Sequence, residues 1–442
     1  MGEQIRWSMV GMMVALLALM AGCASTPTAE EEPLDEPQVV EIETEPMLIR
    51  GGDDGAEQLS AEQLFERAYY GFQARRYDEA AEYYGLIIEH FPESRFHRAS
   101  LYNGALSYEE IDRWRDAADA YARIVEEYPD SDEARNATFR LAGAMMELGD
   151  YQEVDDMLQA LLLGDDLDHF DRVEAHVRRG QALNAMENWD DAQQSFENAL
   201  QRNRRADADE QLDNDNQWIV LANFGVGEAY HGRMGEIPLV LPTERMREDL
   251  EQKAEYHQAA QAAYIRAVRE HHPHWSVAAG FQIGQLYQDF YVDIFSAEIP
   301  EDLSDEELAY YFERLFDEIE VLMDRAISVY ERNLSFSRRI ARGQDAEAWV
   351  QATNMHMERM RAYLEDEEVQ ARARQLVLEY GELDMDKLWD PLFYAQRHVD
   401  DALDMAGQAV EPDEEYDDED GRDAEAEAEA DEGDEEGGDG VS

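Results

Sequence analysis

The chain has 442 residues, 44% of them hydrophobic, enough for several ordinary domains or one long solenoid with a sizeable core. A formal net charge of −66 excludes nucleic acid and anionic lipid headgroups as partners held by charge, because the field of the chain repels phosphates. A single cysteine, Cys23, excludes an intramolecular disulfide and a cysteine-rich metal site.

The acidity is not confined to one segment. Residues 411–442 hold 18 acidic residues against Arg422 alone, yet most of the excess lies outside them. Lysine is nearly absent, with only Lys253 and Lys387, so arginine carries the positive charge. A diffuse acidic surface of this kind resembles proteins of salt-adapted organisms.

At the N-terminus, Arg6 precedes an apolar run from Met9 to Met20. The run is too short for a permanent membrane-spanning helix but suits the core of a signal peptide. Ala21-Gly22-Cys23 follows and is similar to the bacterial lipobox. That resemblance implies a lipoprotein signal peptide over residues 1–22, lipidation of Cys23 (palmitate among its acyl chains) and, with Ala24 next, an outer-membrane destination. The alternative is an ordinary secretory signal with Cys23 a bystander. Residues 23–58, rich in Pro, Glu and Gly without sustained period, read as a disordered acidic tether.

From Ser60 a helical period begins, and it repeats. Tyr77-Asp78-Glu79-Ala80 is answered by Trp114-Arg115-Asp116-Ala117 and by Tyr151-Gln152-Glu153-Val154, at a step of 37 residues. Phe65, Tyr102 and Phe139 keep that step, as do Ala68, Ala105 and Ala142, and Tyr84, Tyr121 and Leu158. Pro92 and Pro129 close the first two units, and Ser94 and Ser131 beside them are candidate helix caps. A large residue, a small one and a closing Pro at fixed register resemble the tetratricopeptide repeat (TPR). The resemblance implies an all-α solenoid of helical hairpins, here flanked by disordered acidic segments, that binds proteins rather than catalysing.

A fourth unit with Trp189, Ala192, Phe196 and Gly180 in the small slot completes repeats over residues 59–205. Arg202 to Asn214 is polar and reads as a loop. Residues 206–340 read as two split repeats, one using Gly227, Tyr230, Ala260 and Tyr264, the other Gly284, Tyr287, Ala326 and Tyr330. Ser304-Asp305-Glu306-Glu307 is a capping box opening a long helix inside the second insertion. Residues 341–410 read as one or two further helices interrupted near Gly381 and Pro391, and residues 411–442 as a disordered acidic tail.

No nucleotide loop, nucleophile elbow or zinc-protease helix occurs, and no cofactor or metal is implied. His271-His272-Pro273-His274 lies where a repeat turns over and reads as turn chemistry. Asp418-Glu419-Asp420-Gly421 lacks the first ligand and flanking helices of a calcium loop. The TPR pattern places certain first-helix residues on a concave groove for extended peptides: Phe65, Tyr69, Phe72, Tyr102, Leu106, Phe139 and Met146. The alternative for such a stripe is packing between repeats.

Lipobox, linker and repeats over residues 20–165 resemble outer-membrane TPR lipoproteins of the β-barrel assembly machinery (the BamD type). The resemblance implies a non-catalytic scaffold, lipid-anchored on the periplasmic face and binding envelope proteins of an assembly, secretion or motility complex. The competing expectation is an accessory or hydrolase of cell-wall metabolism with its active site in residues 275–405.

Overall fold

The computed structural model describes residues 47–52, 55–164, 167–213, 216–340 and 346–389. Cys23, the signal run, the tether up to residue 46, Pro391 and the acidic tail lie outside the described residues.

Six helical hairpins follow one another. They pair α1 (Ala61–Gln73) with α2 (Tyr77–His90), α3 (His97–Glu109) with α4 (Trp114–Glu127), and α5 (Asp132–Leu148) with α6 (Tyr151–Leu163). Then come α7 (His169–Ala185) with α8 (Trp189–Arg205), α9 (Gln217–Gly235) with α10 (Thr243–Arg269), and α11 (Trp275–Phe295) with α12 (Asp305–Ile340). The expected all-α hairpin solenoid is the fold. First helices also touch one another in series, α3 on α5, α5 on α7, α7 on α9 and α9 on α11, and so form one inner layer.

The repeat residues seal each hairpin. The small or β-branched positions Ala80, Ala117, Val154, Ala192, Ala260 and Ala326 are fully buried. So are the large ones four residues on, Tyr84, Tyr121, Leu158, Phe196, Tyr264 and Tyr330. Opposite them on the first helices lie Ala68, Ala105 and Ala142, also fully buried, and then glycines. A Cβ on Gly180 would meet Phe196 at 2.7 Å, on Gly227 Tyr264 at 2.5 Å, and on Gly284 Tyr330 at 2.2 Å. Only glycine lets these rings lie against the helix backbone. The two split repeats therefore keep the pairing, and their insertions lengthen the connections and second helices without shifting register.

The turns repeat as well. Arg75, Asp112, Gly149 and Glu187 all have φ between 56° and 78°, so each regular hairpin turns through one left-handed residue. Three of those four positions carry a side chain, which hides the turn from a search for glycine.

The structure differs from several sequence expectations. Leu48–Gly52 and Gly55–Leu59 form an antiparallel pair, β1 and β2, with glycines at its closing register, where the sequence reads as tether. Leu59 is buried against Leu64, Ile87 and Phe91, so the pair covers apolar surface that no preceding repeat can cover. Ser131 caps α5 by accepting from Ala134 N at 3.2 Å, but Ser94 accepts from Phe96 N ahead of a helix that starts only at His97. The polar stretch from Arg202 stays helical to Arg205, because buried Asn203 exchanges two hydrogen bonds with the Leu212 backbone. The Ser304–Glu307 capping box is present, with Glu307 accepting from Ser304 N at 2.9 Å. The helix it opens runs unbroken through Tyr330 to Ile340, so insertion and second repeat helix are one element.

Among the described residues three helices, α13 (Glu347–Glu365), α14 (Glu367–Tyr380) and the short α15 (Met385–Leu388), follow α12 where one or two were expected. The extra break falls at Asp366, whose carboxylate caps α14 by accepting from Glu368 N at 2.9 Å. Tyr363, Leu388 and Trp389 are buried in one apolar cluster with α11 and α12, and Tyr291 and Tyr363 share a hydroxyl hydrogen bond of 2.7 Å. Among the described residues no helix is long and apolar enough to cross a membrane.

Candidate functional site

The inner layer is hollowed along its length. One hollow of about 550 Å³ spans four first helices: Tyr102 and Glu109 of α3, Phe139 and Arg140 of α5, Phe170 and Glu174 of α7, and Trp218 of α9. Tyr102 and Phe139 enter at one repeat register, whereas Phe170, Glu174 and Trp218 enter nearer the N-termini of their helices.

Aromatic side chains are combined there with ion pairs. Arg140 donates to Glu109 at 2.6 Å, Arg135 lies 3.2 Å from Asp171, and Arg178 donates to Glu174 at 2.8 Å. The Arg178 guanidinium also lies 4.9 Å from the Trp218 ring centroid. Burial raises the pKa of Glu174 despite Arg178, and burial with the nearby Asp168 raises that of Asp171. Trp218 is 7% exposed, and its indole N–H has no hydrogen-bond partner among the described residues. Phe170 stands 40% exposed. Aromatic faces and charges at the edge of low-dielectric surface suit an extended polypeptide better than a small reacting substrate.

Of the seven residues the sequence places on a groove, the structure brings Tyr102 and Phe139 to this hollow. Phe139 is nevertheless buried, and Tyr102 packs edge-on against Tyr121 at 5.9 Å, so both also hold repeats together. Phe65 is committed to packing, stacked on Phe96 at 5.0 Å and edge-on to Tyr84 at 5.6 Å. Phe72 rests on Tyr77 at 5.3 Å, and Leu106 and Met146 are half-buried. Tyr69 is exposed beside Tyr70, away from the hollow. Phe170 and Trp218 escaped the sequence reading because they lie nearer the N-termini of their helices than the slots at Gly180 and Gly227 would suggest.

A second hollow of about 710 Å³ lies over α7, α9 and α11. Glu228 and His231 of α9, Asn184 of α7, and Asp289 and Asp293 of α11 line it. His231 Nε2 lies 3.0 Å from Asp289 Oδ2. Lys253, fully buried, donates to Asp293 at 2.5 Å and to the Met234 carbonyl at 2.6 Å. Burial pushes the Glu228 carboxyl up to about 7, although Asn184 and His231 pull it down.

The histidine cluster serves the chain turn. His271 holds φ 59°, and His272 Nδ1 accepts from the backbone N–H of His274 and Trp275, each at 3.3 Å, opening α11. Among the described residues no three His, Cys, Asp or Glu side chains are grouped to hold a metal ion.

Residues 99–131 match the tetratricopeptide-repeat family model, which falls on α3, α4 and the turn after them. No curated protein matches the chain. Similar solved structures include a tetratricopeptide repeat protein from Parabacteroides merdae ATCC 43184 (14% identity, 67% of this chain, 98% of that one, TM-score 0.33). The apo form of RapI is similar at 11% identity with the same coverages and a TM-score of 0.38. Yeast Tom70 is similar at 12% identity over 71% of this chain and 99% of that one, with a TM-score of 0.22. The chain therefore carries a tetratricopeptide repeat at residues 99–131, within a longer run of hairpins built on the same residue pattern.

Proposed function

We propose that this protein is a non-catalytic adaptor, anchored through a lipid on Cys23 to the bacterial outer membrane, whose inner groove holds extended segments of envelope proteins. The observation that carries this reading is the hollow across α3, α5, α7 and α9, where aromatic faces and ion pairs converge without a nucleophile–base pair. The acidic surface adds a preference for basic or neutral segments over nucleic acid.

The test is crosslinking from inside the groove in the protein's own envelope. Benzoylphenylalanine in place of Phe170 is expected to capture a small, reproducible set of envelope proteins. The same group at Glu89, on the opposite helix layer, is expected to capture few. Equal yields at the two positions would overturn the groove, and turnover of peptidoglycan by the purified protein would overturn the non-catalytic role. Cys23→Ala is expected to release the protein from membranes; a processed variant that stays membrane-bound refutes the anchor.

A further inference from the structure

The hollow over α7, α9 and α11 has two wall residues from the other helix layer, Trp189 of α8 and Tyr264 of α10. Tyr264 of α10 is fully buried, and its ring lies against Gly227 of α9, where a Cβ would stand 2.5 Å away. The glycine lets the ring pass α9 and bring its hydroxyl to the hollow. That hydroxyl has no hydrogen-bond partner among the described residues. One repeat further on, the equivalent hydroxyl of Tyr330 lies against Gly284 and donates to Gln285 at 3.1 Å. The residue matching Gln285 is Glu228, and it leaves Tyr264 unengaged.

The neighbouring polar side chains are largely engaged with one another. Asn184 Nδ2 donates to the Gly225 carbonyl at 3.2 Å and to Glu228 at 3.4 Å, while Asn184 Oδ1 is buried with no partner. Asp289 is engaged by His231, and Asp293 by Lys253. Tyr264 Oη, Asn184 Oδ1 and the Glu228 carboxylate each offer acceptor lone pairs, so one N–H-rich cation can engage all three, while the Tyr264 O–H remains a donor. We infer that this hollow is a receptor for an arginine side chain of the segment held in the groove. A guanidinium supplies five N–H donors and no acceptor, and its planar fork engages a carboxylate and neighbouring oxygens together. A bound cation also favours the ionised Glu228 that burial otherwise disfavours.

This inference rests on the groove reading but is tested separately from it. The probe is the blocked tripeptide acetyl-Ala-Arg-Ala-amide, titrated calorimetrically into the full chain at about 0.5 M NaCl to screen the general acidity. Saturable binding is expected, about tenfold tighter than the citrulline counterpart, which keeps the shape and loses the charge. Glu228→Gln is expected to weaken it about tenfold and Tyr264→Phe several-fold, with Glu313→Gln, an exposed acid on α12, unchanged. Preference for the lysine counterpart would assign the site to an ammonium and overturn the guanidinium. Equal binding of citrulline, equal loss in Glu313→Gln, or no saturation below about 10 mM would overturn the receptor. Arginine selectivity without groove crosslinks would sink the proposed function and leave the receptor standing; groove crosslinks without selectivity would do the reverse.

Discussion

The residue after each inner small slot differs between the two halves of the solenoid. In α1, α3 and α5 it is Tyr69, Leu106 and Gly143; in α7, α9 and α11 it is Gln181, Glu228 and Gln285. The slot changes with it, from Ala68, Ala105 and Ala142 to Gly180, Gly227 and Gly284. An alanine methyl holds the facing ring one atom further from the backbone. A glycine admits the ring, and where that ring is tyrosine its hydroxyl reaches the inner layer and requires polar company. The aromatic hollow still draws Phe170 from α7 and Trp218 from α9, so the slot residue sets how close a ring comes to the backbone and not which helices share a hollow.

Breaking the packing on either side of this divide gives the largest effects. Phe139→Ala removes a ring that is 5% exposed and should cost about 3–4 kcal/mol in urea unfolding. Tyr69→Ala, at a position 47% exposed, should stay within about 0.5 kcal/mol. Equal costs would show that Tyr69 is core after all. On the glycine side, Gly284→Ala drives a methyl into the fully buried Tyr330 and should cost about 3 kcal/mol. Gly85→Ala on α2 meets only Tyr108 Oη at 3.5 Å and should instead gain about 0.5–1 kcal/mol of helix propensity. A neutral Gly284→Ala would refute the idea that ring entry requires glycine.

The second hollow should also carry its own pH signature. The folded-state pKa of Glu228 is raised to about 7, so the native chain binds its proton more tightly than the unfolded one. Its cost to stability is absent below the unfolded pKa and grows as pH rises from about 4.5 through 7. Thermal melts across that window should show Glu228→Gln gaining on the parent by roughly 2 kcal/mol, discounted for partial exposure. A constant difference between the two proteins from pH 4 to 8 would mean that Glu228 ionises as freely as a surface acid.

The smallest expected effects belong to the turns of the regular half. Arg75→Gly, Asp112→Gly and Glu187→Gly should each stabilise by up to about 1 kcal/mol, because each native residue sits left-handed without need of its side chain there. Gly149→Ala should lose a similar amount. The split repeats offer no such position between their helices, since residues 236–242 and 296–304 replace the turn. Uniform gains at 75, 112 and 187 in thermal melts would confirm one shared turn geometry; losses there would show that the side chains hold the turn.

The sequence by itself determined the hairpins, their register and their sealed positions, because small and large residues recur at a fixed step and each faces its own neighbour in the next helix. It also carried through the split repeats, where Gly227, Tyr264, Gly284 and Tyr330 kept their roles across insertions of different length. The strand pair before α1 was not legible, since its stability comes from covering an exposed repeat end rather than from its own pattern. Nor was the site. Phe65 and Phe139 share a register, yet Phe65 at the end of the stack folds onto Phe96 while Phe139 inside it borders a hollow. Which inner side chains face open space, and which tyrosine hydroxyl finds a partner, depended on three or four helices meeting at once, and only the tertiary structure decided it.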